Sequence, residues 1–391
     1  MERARGHAGA SSGEPMAANG TNSGAAATTD TRFMQAALAY GRRNLGLTAP
    51  NPAVGAIVVR NGVIIGRGAT HPGGRPHAET QALAYAGEGA RGATLYVTLE
   101  PCSHHGHTAP CVDAIIAAGI SRVVSALDDP DPRVSGTGHA RLRAAGIAVT
   151  TGICRDEARL ANLGHIRRMT LQRPMVTLKL AQTAEGYAAG GRHDPRLTIT
   201  GEAANARVQV LRALHEAIMV GIGTAQGDDP LMTVRLPGLD RRPLRVVLDA
   251  RLQLSPLSRL VATARAVPVL VIAGNNAPIA AEAALAARGV AVVRLALDGQ
   301  GRIDLAAALQ LLAARGITRV FSEGGPQVAD ALLAQDLVDE VLLFASQKPF
   351  GRSGLPALGA PARGLLADAG RFLQVSHMVG ADRLTHYQRV L

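Results

Sequence analysis

A histidine and two cysteines in the first third of the sequence have the chemistry of a zinc site. Glu79 follows His77 by two residues, and Cys102 and Cys111 come further along the chain. Zinc binds imidazole and thiolate, and three protein ligands leave its fourth tetrahedral position open. A catalytic zinc uses that position to hold a water and to lower its pKa toward about 7. Glu79 would move protons between this water and a leaving amine.

The order of these residues follows the signature of zinc nucleobase deaminases. In that signature a His-x-Glu precedes a Pro-Cys and a second cysteine, as in His77-Ala78-Glu79 and Pro101-Cys102. The usual gap between the cysteines is two residues, whereas residues 103–110 separate them here. Taken singly, each residue could be a surface histidine or a buried thiol. Together they predict a catalytic zinc, and a purely structural zinc is the alternative.

The predicted elements bring the ligands to the ends of secondary structure. His77 opens a predicted helix over 77–86, Cys102 follows a predicted strand over 93–99, and Cys111 precedes a predicted helix over 112–118. Thiols at helix starts meet the positive dipole end, which favours thiolates. Cys154 is expected in the core. Four more histidines are expected to line the pocket: His71, His104, His105 and His107.

Strands and helices alternate along the rest of the chain, which predicts α/β architecture. Asn61-Gly62 between two apolar runs predicts a β-hairpin. Residues 1–30 are rich in small and polar residues and predict a disordered tail. We predict a first domain of about five strands over 31–152, a helix over 156–169, and a second α/β domain within 153–391.

Composition excludes several classes of protein. The chain has 391 residues, of which 47% are apolar, so it can bury sizeable cores. Three cysteines form no disulfide framework, and neither a membrane span nor a signal peptide is recognisable. We therefore expect a cytoplasmic protein without a membrane partner. The net charge is +11, but the basic residues are scattered and aromatics make up 3%. We expect no nucleic-acid partner, although a nucleic-acid base deaminase is kept as a rival.

Three motifs resemble the bifunctional deaminase/reductase family of riboflavin biosynthesis, and the wide gap between the cysteines fits that family. The resemblance covers nearly the whole chain after residue 31. It implies an N-terminal zinc cytidine-deaminase-like three-layer domain and a C-terminal dihydrofolate-reductase-like domain. The motifs are Ala49-Pro50-Asn51-Pro52-Ala53-Val54-Gly55, Pro76-His77-Ala78-Glu79 and Leu99-Glu100-Pro101-Cys102-Ser103-His104-His105-Gly106.

The same resemblance implies the two reactions and their cofactors. The first domain would use zinc to deaminate a diamino-pyrimidinone that carries a ribosylamino 5′-phosphate. The second would use NADPH to reduce the ribosyl group to a ribityl chain. The partner is therefore a small phosphorylated pyrimidine, and we also expect a homo-oligomer.

The resemblance also assigns residues to substrate and cofactor. Two of the substrate residues are arginines, which suit a phosphate, and glycines before a helix let N–H groups approach a cofactor phosphate. The substrate residues are Asn51, Arg212, Met232, Arg235 and Glu323. The NADPH residues are Ala181, Thr198, Thr224, Asp228, Ala250 and the stretch Gly325, Pro326, Gln327, Val328, Ala329, Asp330 and Ala331.

The second domain departs from the family at several of its motif positions. Glu185 stands where the family has Asp, Thr198 where it has Trp, and Ala250 where it has a cofactor-contacting Ser. Weakened contacts of roughly 1–2 kcal/mol each could cost orders of magnitude in affinity or rate. A deaminase with a degenerate reductase domain is therefore the alternative function.

Overall fold

A computed structural model describes residues 21–104, 109–131, 135–191, 194 and 197–390. The first domain contains a five-stranded sheet and five α-helices. In chain order its elements are α1 (Thr21–Gly41), β1 (Gly55–Arg60), β2 (Val63–Ala69), α2 (Ala78–Ala86), β3 (Thr94–Val97), α3 (Cys111–Ala117), β4 (Arg122–Ser125), α4 (Thr137–Ala144), β5 (Ala148–Thr151) and α5 (Arg155–Ala161).

The first sheet has the order β2-β1-β3-β4-β5, and helices cover both of its faces. β1 and β2 form the predicted hairpin, in which Asn61 and Gly62 both have positive φ angles, as a type I′ turn requires. β3, β4 and β5 are parallel. One face packs on α2, α3 and α4, and the other on α1 and α5. The domain is thus a three-layer α/β structure.

The prediction of a disordered tail up to residue 30 is wrong at its end, because α1 begins at Thr21. Asp30 is buried and accepts hydrogen bonds from the Tyr96 hydroxyl at 2.8 Å and from the Arg122 guanidinium at 2.6 Å. Asp30 therefore attaches α1 to the sheet, a contact that cannot be recognised from the composition of residues 1–30. Residues 1–20 lie outside the described residues.

The helix predicted over 156–169 is two helices in the structure. Helix α5 ends at Ala161, and α6 (Leu163–Leu171) follows after Asn162, whose φ and ψ of −99° and 9° are not helical. Ala158 of α5 is fully buried among residues of the first domain, including Met34. The break therefore lets α5 pack on the first domain while α6 leads into the second.

The second domain is built on a nine-stranded sheet of order β11-β10-β9-β8-β12-β6-β13-β16-β15. In this order, the neighbouring strands from β11 through β13 are parallel to one another. β16 is antiparallel to β13, and β15 is antiparallel to β16. Its elements after α6 are β6 (Met175–Gln182), β7 (Tyr187–Ala189), α7 (Glu202–Ala213), β8 (Ala217–Gly221), α8 (Ile222–Asp228), β9 (Leu244–Leu248), α9 (Arg259–Ala262), β10 (Val269–Gly274), α10 (Ile279–Ala286), β11 (Ala291–Leu295), α11 (Leu305–Ala314), β12 (Arg319–Ser322), α12 (Pro326–Ala334), β13 (Glu340–Ala345), β14 (Leu355–Pro356), α13 (Ala360–Ala367), β15 (Phe372–Val379) and β16 (Asp382–Arg389).

The two domains touch through closely approaching backbone. A Cβ atom placed on Gly46 would lie 2.8 Å from the carbonyl oxygen of Ala213, and one on Gly316 would lie 3.3 Å from the Pro50 ring. The connection is also anchored electrostatically, because buried Asp339 pairs with Arg167 of α6 and with Arg173. Within the described part of the chain, no helix is long and apolar enough to span a membrane.

Candidate active sites

The predicted metal ligands converge in the first domain. His77 caps α2, Cys111 is the first residue of α3, and Cys102 lies in the turn after β3. The Nδ1 atom of His77 lies 3.3 Å from the Cys111 Sγ and 3.7 Å from the Cys102 Sγ. The N–H of Cys111 donates to the Cys102 Sγ at 3.3 Å, so the start of α3 fixes the turn.

These distances fit a tetrahedral zinc ion. A nitrogen about 2.0 Å and a sulfur about 2.3 Å from such an ion lie roughly 3.6 Å apart. The three donor atoms all lie within 4.8 Å of one another. A second group of potential ligands, Glu100, Asp128 and His139, is also close together. The Glu100 carboxylate, however, already accepts hydrogen bonds from four backbone N–H groups.

Electrostatics at the site favours a charged sulfur. A hydrogen bond from the Cys111 thiol, with support from His77, lowers the pKa of Cys102 to about 4. The same bond, together with burial, raises the pKa of Cys111. The bond with Cys102 raises the pKa of His77. Because zinc binds thiolates and neutral imidazole, its uptake releases protons and strengthens as pH rises.

Glu79 lies in the first turn of α2 and is 3% exposed. Burial raises the pKa of its carboxyl group, and the Cys111 side chain hydrogen-bonds to it. Because burial disfavours the charged form, this carboxylate is a better proton acceptor than an exposed one. The residue predicted as a proton shuttle thus lies beside the predicted ligands.

Two glycines of β2 set the position of α2. A Cβ atom on Gly68 would lie 2.1 Å from the carbonyl oxygen of Ala78, and one on Gly66 would lie 2.2 Å from that of Ala82. The helix therefore rests directly on the strand. This close packing fixes the height of His77 and Glu79 above the sheet.

Asn51 is half-buried in the loop before β1, next to the segment that leads to His77. Its side-chain amide donates to the carbonyl oxygen of Gly74 at 2.8 Å, which leaves its carbonyl oxygen for other partners. His71 and His104 are exposed. His105 and His107 lie outside the described residues.

Sequence reasoning missed Glu100, which organises the loop beside Cys102. Its carboxylate is 3% exposed and accepts hydrogen bonds from the N–H groups of Asp129, Gly136, Gly138 and His139 at 2.9–3.2 Å. An acidic residue directly before Pro101-Cys102 was the available signal. Its role here is to fasten Asp129 and the start of α4 against the turn that carries the predicted ligand Cys102.

In the second domain, the residues assigned to substrate and cofactor gather at one edge of the sheet. Ala181 lies near the end of β6, while Thr224, Ala250 and Glu323 follow β8, β9 and β12. These four strands are neighbours and parallel, so their carboxyl ends share one edge. Ligands of open α/β sheets bind at such an edge.

Arg212 and Glu323 form a tight pair at this edge. Nε and Nη2 of Arg212 donate to the two Glu323 oxygens at 2.5 and 2.8 Å, and Nη1 donates to the Thr233 carbonyl at 3.0 Å. Arg235 is exposed, and burial, followed by the charges of Arg212 and Arg259, lowers its pKa. This concentration of positive charge favours an anionic group.

The Met232 side chain is 1% exposed and packs in the core, so only its backbone can reach a ligand.

The predicted glycine loop leads directly into α12. Gly325 caps the helix, and a Cβ atom on it would lie 3.1 Å from the Thr224 hydroxyl. The later part of the assigned stretch faces elsewhere, because Ala329 is fully buried and the Asp330 carboxylate accepts the N–H of Gly359. The helix start is therefore the part of this stretch that can approach a phosphate.

The family departures have distinct surroundings. Glu185 accepts the N–H groups of Phe350 and Gly351 at 2.8 and 3.2 Å, which lowers its pKa to about 2. Ala250 accepts the N–H of Gly274 through its backbone oxygen. Thr198 is exposed before α7, and Asp228 ends α8. Glu185 thus binds a loop that the shorter Asp would reach less readily.

Comparisons with known proteins match both halves of the chain. The family model of the cytidine and deoxycytidylate deaminase zinc-binding region matches residues 27–127, and that of the RibD C-terminal domain matches 174–361. Riboflavin biosynthesis protein RibD of Aquifex aeolicus is 41% identical over 82% of this chain and 88% of its own length.

Solved structures share the fold over most of the chain. Acinetobacter baumannii RibD superposes with a TM-score of 0.81 at 33% identity, over 93% of this chain and all of its own. A diaminohydroxyphosphoribosylaminopyrimidine deaminase/5-amino-6-(5-phosphoribosylamino)uracil reductase of Thermotoga maritima gives 0.80 at 34%, with the same coverage. The chain therefore belongs to the RibD family of riboflavin biosynthesis, bifunctional enzymes that join a zinc-dependent deaminase domain to an NADPH-dependent reductase domain.

Proposed function

We propose that this chain acts on a diamino-pyrimidinone carrying a ribosylamino 5′-phosphate, deaminating it first and then reducing its ribosyl group to a ribityl chain. The observation that carries the proposal is the convergence of His77, Cys102 and Cys111 within 4.8 Å, beside the buried Glu79. The substrate named for the Thermotoga maritima relative supports it.

In the deaminase site, His77, Cys102 and Cys111 would hold the metal. A bound zinc would supply a water whose pKa is lowered toward neutrality. Glu79 would take up the two protons of that water in turn and deliver one to a ring nitrogen and one to the departing amino nitrogen, so that the amino group leaves as ammonia and a carbonyl oxygen remains. Asn51 offers the free oxygen of its amide to the pyrimidine ring.

In the reductase site, Glu323, the Met232 backbone and the arginines Arg212 and Arg235 hold the substrate. Arg235 is exposed, and the charges of Arg212 and Arg259 act against its own, so a phosphate group would relieve this repulsion. NADPH supplies the hydride. The start of α12 at Gly325 and the neighbouring Thr224 bind the cofactor phosphates; Asp228, Thr198, Ala181 and Ala250 line the remainder of that site.

We propose that the deaminase occupies the predicted 31–152 together with the rest of α1 and with α5, up to residue 161, and that the reductase occupies the remainder of the predicted 153–391. The enzyme acts in the cytoplasm, where thiols stay reduced and able to bind zinc. It also forms a homo-oligomer. The edge strand β15 supports this, because Leu373, Val375 and Met378 on it are 54–66% exposed.

Mass spectrometry of the products tests both activities. The zinc-loaded full chain is incubated with the diamino-pyrimidinone substrate, with and without NADPH. We expect oxygen to replace one amino group in both samples, and two hydrogens to be added only with NADPH. Deamination without reduction would favour the alternative of a degenerate reductase domain. Neither change, with zinc content verified, would contradict the proposed substrate.

A further inference from the structure

We propose that Arg245 of β9 is a positioning residue of the reductase site, because its guanidinium fixes the turn that carries Met232 and Arg235. This inference deepens the proposed reductase function and rests on it. Arg245 touches neither substrate nor cofactor at the carboxyl edge of the sheet; it acts through the backbone of the turn.

Arg245 is a buried cation that is bonded only to neutral oxygens. It is 0% exposed. Nη1 donates to the Leu231 carbonyl at 3.0 Å and to the Thr263 hydroxyl at 2.8 Å, while Nη2 donates to the carbonyls of Val267 and Leu260 at 2.5 and 3.3 Å. Among the described residues, no carboxylate forms an ion pair with it.

Burying a charge without a counter-ion is costly, and an aliphatic side chain would fill the same place at lower cost. The neighbouring strand positions, Val246 and Val247, are aliphatic and fully buried. The advantage of the guanidinium is its planar set of N–H donors, which can donate hydrogen bonds to several carbonyl oxygens at once. It joins the segment around α9 to the turn before Met232.

The turn that contains Asp229 and Met232 needs contacts from other segments to keep its backbone conformation. Asp229 and Met232 have φ angles of 36° and 50°, in the left-handed region that residues other than glycine rarely adopt. Such conformations persist only where the surroundings fix them. The Leu231 carbonyl, held by Arg245, directly precedes Met232.

The same turn is also hydrogen-bonded to the predicted substrate residues. Thr233 accepts a hydrogen bond from Arg212, which is itself paired with Glu323. Two arginines therefore hold residues 231–233, Arg245 from within the core and Arg212 from the site. Without Arg245 the turn can leave its left-handed conformation, and Met232 and Arg235 then lose their places beside Arg212.

The test compares Arg245→Met and Arg245→Lys with the wild-type full chain, and Arg288→Met on the exposed surface is the matched control. We expect Arg245→Met to raise the KM for the deaminated substrate about tenfold or more, with kcat changed less than about threefold. Arg245→Lys keeps the charge and part of the hydrogen bonding, so its KM should lie between those of the wild type and Arg245→Met. Deaminase activity of the same preparations should stay at the wild-type level.

An unchanged KM in Arg245→Met would overturn the proposal, as would a parallel loss of both activities in a variant that remains folded. If that variant does not fold, Thr263→Val replaces it. This change removes one acceptor of the guanidinium, and we expect a rise in KM of about two- to fivefold; no rise would again overturn the proposal. Absence of reduction by the wild type would instead contradict the proposed function itself.

Discussion

Two buried carboxylates of the first domain, Glu79 and Glu100, are each 3% exposed but have different surroundings. Glu100 accepts four backbone N–H groups, so its oxygens serve to hold the loop in place. Glu79 lies beside the two thiols, and burial raises its pKa. Only Glu79 is therefore suited to exchange a proton with a substrate.

Glu79→Gln should lower the deaminase kcat by about 10²–10⁴-fold, because an amide cannot carry the proton. Zinc content and NADPH-dependent reduction should stay unchanged. Ammonia release and metal analysis provide the measurement. Glu88→Gln, on an exposed residue after the same helix, is the control and should deaminate normally. Equal activity in Glu79→Gln and the wild type would remove Glu79 from the mechanism.

At the scale of elements, regular alternation made most of both sheets predictable. The hairpin at Asn61-Gly62, the helix that His77 caps and the alternation of strands and helices in the second domain agree with the predictions. The convergence of His77, Cys102 and Cys111 could be anticipated because their types and order match zinc chemistry. These features depend on local sequence.

Other elements escaped prediction because their determinants are tertiary. Most side chains of β15 are exposed, so the strand shows no apolar alternation, and α9 is only four residues long. Arg245 looks like a surface charge within an apolar strand until its carbonyl partners are seen. Residues that position a site through the backbone are therefore harder to identify from the sequence than residues that form the site.

Gly68→Ala should damage the deaminase through α2. The added Cβ would lie 2.1 Å from the Ala78 carbonyl oxygen, so the helix and His77 must move. We expect a destabilisation of about 1–3 kcal/mol, weaker zinc binding and retained reduction. Competition with a zinc chelator measures the affinity. Gly364→Ala, where a Cβ meets nothing within 4 Å, should leave zinc binding intact; equal affinity in both variants would refute this view of α2.

His215, just after α7, should make the second domain sensitive to acid. It is 3% exposed, and burial followed by the Arg319 charge lowers its pKa to about 3. The unfolded chain binds this proton from about pH 6.5 downward. Stability from the neutral ring is therefore complete above about pH 6.5 and is lost as pH falls toward 3.

The measurement is the thermal midpoint of unfolding at a series of pH values from 7 to about 4.5. We expect a shallower decline in His215→Gln than in the wild type. His377→Gln, on an exposed residue, should follow the wild type. Identical slopes for the wild type and His215→Gln would show that His215 does not titrate on unfolding.

For the whole molecule, Asp339 is the charge that anchors the connection between the domains. Its carboxylate is fully buried and pairs with Arg167 at 2.7 Å and with Arg173 at 2.6 Å. Asp339→Asn leaves two poorly compensated cations and should lower the stability of the second domain by about 3 kcal/mol. Urea unfolding followed by loss of reductase activity measures this.

Asp336→Asn is the matched control, since Asp336 pairs with two arginines at the surface and is 58% exposed. It should change stability by less than about 1 kcal/mol. A similar loss in both variants would mean that the buried cluster contributes no more than a surface pair.

The close contacts at Gly46 and Gly316 restrict how the sequence can diverge while the two domains stay packed on each other. A single added methyl group on Gly46 would press on the Ala213 carbonyl, and one on Gly316 would press on the Pro50 ring. Both glycines also have positive φ angles, of 77° and 89°, which residues with a side chain rarely adopt. These two positions are therefore expected to keep glycine in related sequences even where the surrounding loops vary.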